Sequence, residues 1–492
     1  LASIGPAGGL TPSDLATAYG LTTTGGAGQT IAIVVAYNAP SIGADLDVFD
    51  SQYGLVPCPL GSCLRVVDQT GGSALPADDT DGWSLEATLD VEAAHSVCQG
   101  CQILLVEANS PTNADIAAAE NEAVALHATE VSNSFGDFES TSDPTFQAAF
   151  NHPGTVITAA AGDDGYYSFD QLAAVNQPVI PASYSTVVAV GGTSLYLGQN
   201  ATRQSETVWN TNGVQDFFQQ NFPGLPLGAG GGGCSTRFAA PRWQTHLSVW
   251  PSTGCGTMRL SADVSSVGDS VTGFDIYDSY DCGATCGDAA PEWVTVGGTS
   301  LAAPIISAVF ALAGGAHGVP YPALTLYGHP GRAYDVSVGG NGWCGGPGAA
   351  GCTEPNTQGY GVVDCAYNAD GTLSVGNRAC DALAGYDGPT GVGTPNGITA
   401  FTRTGPTARI SGPTSVTHAR SATWTATTTD PFPGGAVTSY TWNWGDGTKP
   451  TVTTTASASH IYAAAAASRT ITLTVKDNYT MTGTTTRAVA VH

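Results

Sequence analysis

"TIAIVVAY" (30–37) is an uncharged run dominated by β-branched and apolar side chains. A continuous apolar run, rather than an alternating one, reads as a strand covered on both faces. "CQILLVEA" (101–108), "TVITAAAG" (155–162) and "STVVAVGG" (185–192) repeat the pattern, and helix-like segments such as 113–129 separate them. Strands alternating with helices predict a parallel sheet flanked by helices. From about residue 405 onward the chain turns Thr/Ser-rich and strand-like, "RTITLTV" (469–475) alternates strictly, and turn signals such as "GDGT" (445–448) recur. That pattern predicts an antiparallel β-sandwich. The expected fold class is therefore α/β for residues 1–402, plus a small all-β sandwich over 406–492, with "RTGPT" (403–407) as hinge.

Among 492 residues, 40 are acidic and 14 basic, and only Lys449 and Lys476 are lysines. A net charge of -26 argues against nucleic acid or an anionic membrane as partner. It suits a protein working in acid, where carboxylates lose their charge and few bases remain to repel one another. Halophilic or calcium-rich surroundings are the other reading. The twelve cysteines form six local couples, 58/63, 98/101, 234/255, 282/286, 344/352 and 365/380. This predicts disulfides and a secreted, oxidising setting, although spacing does not fix connectivity. The CxxC of Cys98 and Cys101 also admits a redox or half-zinc reading, but no second CxxC lies near it. No run is long enough for a membrane span, and "LASIGPAGG" lacks a signal peptide's charged and apolar regions, as expected of a processed form.

"EATLDVEAAH" (86–95) reads as helix, and no Lys or Arg lies between Arg65 and Arg203. Glu86 and Asp90 share one face, where like charges four apart cost roughly 0.2–0.5 kcal/mol. Two helical acids usually form a solvated face; in a partly dry site, they push each other's pKa values apart and can serve as a base for acid pH. In "VGGTSLAAPIISAVFALAGG" (296–315) a strand-like run passes through Gly-Gly-Thr-Ser into an apolar helix, placing Ser300 at a helix N-terminus. An ordinary Ser cap and a nucleophile both fit. None of the nine histidines has a His-Gly-Thr context, and His95, off the face of Glu86 and Asp90, reads as structural or surface. "AAAGDDGYY" (159–167) puts Asp163 and Asp164 on a turn at the carboxyl end of a strand, where sites of parallel sheets gather. The glycine run "LGAGGGG" (227–233), with no Gly-Lys-Ser/Thr after it, is expected to line a peptide cleft rather than cradle phosphate.

Together these pieces resemble the sedolisin family of serine-carboxyl peptidases. The likeness spans most of 10–400 and includes "LTPSDLATAYGL" (10–21), "SNSFG" (132–136), "VWN" (208–210), "GGGGCSTRFAAPRWQ" (230–244) and "RLSADVSS" (259–266). It implies a subtilisin-like fold and a secreted, acid-active endopeptidase acting through an acyl-enzyme. Ser300 would be nucleophile, Glu86 general base, Asp90 the carboxylate that tunes it, and Asp163 the acid in the oxyanion hole. Ser134, Phe135 and Gly136 would pair with substrate backbone. The resemblance also implies one structural Ca2+, held by Asp335, Val336, Gly385 and Asp387. Leu383 stands where a liganding glycine is usual, and an insertion over 337–382 carries four cysteines. The tail, through "YTWNWGDGT" (440–448), "HIY" (460–462) and "ITLTVKDNY" (471–479), resembles a PKD domain, an immunoglobulin-like sandwich. Such a domain implies contact with a polymeric substrate or surface. Trp442 and Trp444, either side of Asn443, are expected not to share the core face of one straight strand, leaving one exposed Trp or a buried pair across a bend. The implied partners are protein or peptide substrates, without nucleic acid or membrane, for a monomer. The competing reading is a non-catalytic peptidase-like binding or adhesion protein.

Overall fold

The computed structural model describes residues 4–166, 177–211, 228–280, 292–342 and 377–492. The four apolar runs become strands of one eight-stranded sheet: β1 (Thr30–Ala36), β2 (Leu64–Asp68), β3 (Gln102–Ala108), β4 (Glu130–Asn133), β5 (Val156–Ala160), β6 (Val188–Leu197), β7 (Arg203–Val208) and β8 (Val264–Val267). Their order is β7-β6-β5-β4-β1-β3-β2, with β8 also paired to β6. Every pairing is parallel except β7 with β6. β5 is buried throughout and β1 after its first residue, which explains runs without polar alternation.

Two helices carry the chemistry. The serine helix, Thr299–Leu312, is apolar all round, and Leu301 to Ala311 are all buried. It packs on β4, β5 and β8, and Thr158 Oγ1 of β5 meets Ser307 Oγ at 2.7 Å. A helix with no polar face belongs inside. The acid helix, Trp83–Val97, packs against it and is buried along most of its length. Asp90, Glu92 and His95 are wholly buried, which excludes the solvated-face reading. His95 is structural and not at the surface: its Nε2 meets the Val56 carbonyl at 2.8 Å and Asp50 Oδ1 at 3.2 Å.

Among the described residues, the couples Cys58–Cys63, Cys98–Cys101 and Cys234–Cys255 form disulfides. The CxxC is thus a short staple in this structure, which counts against the zinc reading. Cys380 is disulfide-bonded. Cys282, Cys286, Cys344, Cys352 and Cys365, with much of the 337–382 insertion, lie outside the described residues.

The chain divides into two units, one ending at Thr402 and the other holding Arg403–His492 with Tyr327–His329. The second has sheets of three and five strands around one core. Its pairings are antiparallel apart from Ser415–Val416 beside Ala490–Val491. Of the two alternatives left open for the tryptophans, the buried pair holds. Trp442 and Trp444 are both fully buried, with rings stacked 5.7 Å apart. Trp442 is in the strand Val437–Asn443 and Trp444 follows its end; side chains two apart along extended chain point to the same face, so the premise that they must part does not hold.

Candidate active site

The strand Trp293–Val296 ends at Gly297-Gly298, and the serine helix begins at Thr299. Gly298 has φ +93°, and a Cβ there would lie 2.8 Å from Asp163 Oδ2. Glycine is therefore required both by backbone angle and by space. Ser300 follows as the second helical residue, where a backbone N–H has no carbonyl four residues back to bond and stays available to a ligand. Pro304, one turn on, supplies no N–H to the Ser300 carbonyl.

Facing Ser300 is the chain leaving β4. Ser300 Oγ donates to the Ser134 carbonyl at 3.5 Å. Ser134 Oγ lies 2.7 Å from Asp90 Oδ1 and 3.2 Å from the Ser300 carbonyl. Glu86, half-buried on the acid helix, lies near enough to the hydroxyls of Ser300 and Ser134 for both to favour its ionised form. The four groups Glu86, Asp90, Ser134 and Ser300 thus converge.

Burial pushes the Glu86 pKa up, the Asp163 charge adds to this, and the hydroxyls of Ser300 and Ser134 oppose it. Burial also raises Asp90, and the charge on Glu86 adds to it, with the Ser134 hydroxyl pulling the other way. Glu86 Oε1 and Asp90 Oδ2 are buried without a hydrogen-bond donor. A proton carried by the pair supplies one, so the two acids titrate as a unit.

Asp163 comes from the loop after β5. Its Oδ1 accepts from the Thr299 N–H at 2.7 Å and from Thr299 Oγ1 at 2.8 Å. Thr299 Oγ1 in turn accepts from the Gly162 N–H at 3.0 Å. Burial raises the Asp163 pKa, Thr299 opposes the shift, and neighbouring Asp164 adds to it. With Oδ1 occupied, a proton on Oδ2 could donate to an oxyanion. Asp164, the second acid of the turn, is exposed.

Ser134, Phe135 and Gly136 lie just beyond β4 rather than in it. The Ser134 side chain is buried, while Gly136 is exposed. Phe135 packs its ring 6.3 Å from Trp83 at the start of the acid helix. A Cβ on Gly231 would lie 2.1 Å from the Ala161 carbonyl, and one on Gly230 2.9 Å from the Gly192 carbonyl. At these two positions the closely approaching backbone is the chain's own.

Of the expected calcium ligands, Asp335, Gly385 and Asp387 lie together, with Val336 next to Asp335 in the chain. Asp387 is fully buried, and its pKa is raised by burial and by the charge of Asp335. Asp387 Oδ2 accepts from the Leu383 N–H at 2.9 Å, and both Asp335 oxygens lie 3.1 Å from the Gly385 N–H. Arg378 holds the carbonyls of Ala384 and Tyr386. Among the described residues the carbonyls of Val336, Leu383 and Gly385 accept no hydrogen bond. Two neighbouring carboxylates, one buried, with free carbonyls suit a hard cation. Leu383 is no obstacle to a ligand that is a backbone oxygen.

Sequence reasoning singled out Glu86, Asp90, Asp163 and Ser300, and the fold brings these four together. It missed the side-chain role of Ser134 and the anchoring of Asp163 by Thr299. Both were hidden because a hydroxyl's partner lies far along the chain.

The family model for the subtilase family matches residues 72–320, and that for the PKD domain matches 403–491. Sedolisin from Pseudomonas sp. (strain 101) is 28% identical over 378 residues, 72% of this chain and 57% of that protein. Kumamolisin from Bacillus sp. (strain MN-32) is 30% identical over 352 residues, 67% of this chain and 57% of that protein. The chain thus spans little more than half the length of these relatives. The solved structure of Pseudomonas sedolisin, a serine-carboxyl proteinase complexed with pseudo-iodotyrostatin, superposes with a TM-score of 0.58 at 25% identity, covering 79% of this chain and 95% of that one.

Proposed function

We propose, from the premise that the chain belongs to the subtilase family, that it is a secreted, acid-active endopeptidase of the serine-carboxyl type. The observation that supports this is the convergence of Glu86, Asp90, Ser134 and Ser300, with the Glu86 carboxyl near enough to the Ser300 hydroxyl for that hydroxyl to favour its charge, where a histidine would otherwise be sought. Ser300 Oγ attacks the scissile carbonyl as Glu86 takes its proton, giving a tetrahedral intermediate. Asp90 shares the buried pair's charge and fixes Glu86. The Ser300 N–H and a protonated Asp163 hold the oxyanion. Glu86 then passes its proton to the leaving amine, leaving an acyl-enzyme that water hydrolyses by the same steps. The exposed backbone at Gly136, with that of Ser134 and Phe135, pairs with substrate. Asp335, Val336, Gly385 and Asp387 would hold a calcium ion, which supplies charge neutralisation and stapling, not chemistry. The sandwich contacts a polymeric substrate or surface, and the protein acts as a monomer. Buried Trp442 and Trp444 cannot make that contact.

The test is hydrolysis of a denatured protein from pH 2 to 9 by the wild type and Ser300→Ala. Activity peaking at about pH 3–5 and lost in the variant supports the reading; activity climbing towards pH 8 rejects the carboxylate base. For calcium, chelator should lower the Tm of the wild type but not of Asp387→Ala. A wild-type Tm indifferent to chelator removes the ion from the proposal.

A further inference from the structure

The hydroxyl of Ser134 faces more acceptors than it has protons. Asp90 Oδ1 lies at 2.7 Å and the Ser300 carbonyl at 3.2 Å, two acceptors for one proton. A serine hydroxyl donates once and accepts up to twice. The Ser300 carbonyl is in the contest because Pro304, four residues on, has no N–H with which to close the helical bond. Ser134 is buried, so bulk water does not stand in for the missing proton.

We propose that Ser134 is a positioning residue that couples the charge of the Glu86–Asp90 pair to the nucleophile's own backbone. When Asp90 is ionised, Ser134 donates to it and the Ser300 carbonyl goes without. When Asp90 carries the proton, the carboxyl donates to Ser134 Oγ and the hydroxyl's own proton turns to the Ser300 carbonyl. No bond between heavy atoms forms or breaks, and one proton gained by the pair reorients one hydroxyl. This assignment goes beyond backbone pairing with substrate, and it rests on the peptidase reading for its kinetic consequences.

The surroundings leave this hydroxyl a large share of the tuning. The acid helix presents Glu86 and Asp90, the loop after β5 presents Asp163 with Asp164 behind it, and the serine helix presents only hydroxyl and backbone groups. No basic side chain appears among the influences on either acid. Removing a donor that favours the ionised forms raises the acids' pKa values. Since the base must be ionised to act, the acidic limb of kcat/KM then moves to higher pH.

Ser134→Ala should move that limb up by about one pH unit, with KM for a soluble peptide little changed, and Ser134→Thr should restore it. An unmoved limb with a raised KM alone would overturn the proposal, because Ser134 would then serve substrate only. A second measurement needs no turnover. Carbon-13 carboxyl signals of Glu86 and Asp90 are titrated in Ser300→Ala and in Ser300→Ala/Ser134→Ala. Midpoints that rise in the double variant support the coupling, and coincident midpoints overturn it. Absence of hydrolysis by the wild type defeats the peptidase reading and leaves this titration to decide on Ser134.

Discussion

Asp90 in the larger unit and Asp446 in the sandwich carry the same carboxyl under opposite conditions. Asp90 is buried beside another acid with one hydroxyl for support, and its pKa rises. Asp446 also suffers desolvation, but Thr448 Oγ1 at 2.6 Å and His460 Nε2 at 2.7 Å outweigh it and bring its pKa down to about 2. The difference lies in local partners and not in the kind of domain. Asp430 and Asp477, in the same sandwich, are pushed up by burial. A carboxyl denied a cation becomes a proton carrier; one given a histidine and a hydroxyl becomes an anchor.

The sharpest way to break this comparison is to neutralise one member of each kind. Glu86→Gln should lower kcat/KM by about 10⁴-fold, and Asp446→Asn should leave it unchanged. Near-normal hydrolysis by Glu86→Gln would show that the base lies elsewhere.

A smaller effect should appear in stability against pH, with opposite signs in the two settings. Burial raises Glu120 and Glu130 from 4.5 to about 8. Their contribution is fully present below pH 4.5 and is lost as pH rises to about 8, because the unfolded chain releases these protons first. Asp446 does the reverse, helping above its unfolded value of 3.8 and losing that help as pH falls towards about 2. Calorimetry from pH 2 to 9 should therefore show Tm falling on the alkaline side, and falling less in Glu120→Gln/Glu130→Gln. Asp446→Asn should flatten only the acid side, by about 1 kcal/mol or less once screening is allowed for. Identical profiles in all three proteins would contradict the assigned burial effects.

Much of this was legible in the sequence, for reasons that can be named. Strands covered on both faces cannot alternate, so β1, β3, β5 and β6 stand out as apolar runs. Glu86 and Asp90 stood out because two acids on one helical face had no base near them. Ser134 did not stand out. Nothing in "SNSFG" says that its hydroxyl turns to a helix 44 residues earlier in the chain. Nor does "LGAGGGG" say whether the backbone that needs room is a ligand's or the protein's own. The tryptophan pair was readable from the period of two, and the expectation of separation misapplied that rule.

Gly298 lies between Asp163 and Ser300, where φ is +93° and a Cβ would come 2.8 Å from Asp163 Oδ2. In evolutionary language, the site can be silenced without touching any residue that does chemistry. On the proposed peptidase reading, a chain with alanine there would keep Glu86, Asp90, Asp163 and Ser300 in full view of any sequence comparison, yet would be expected to lose activity. Counting reactive residues is thus a poor census of living peptidases unless the glycine between them is counted too.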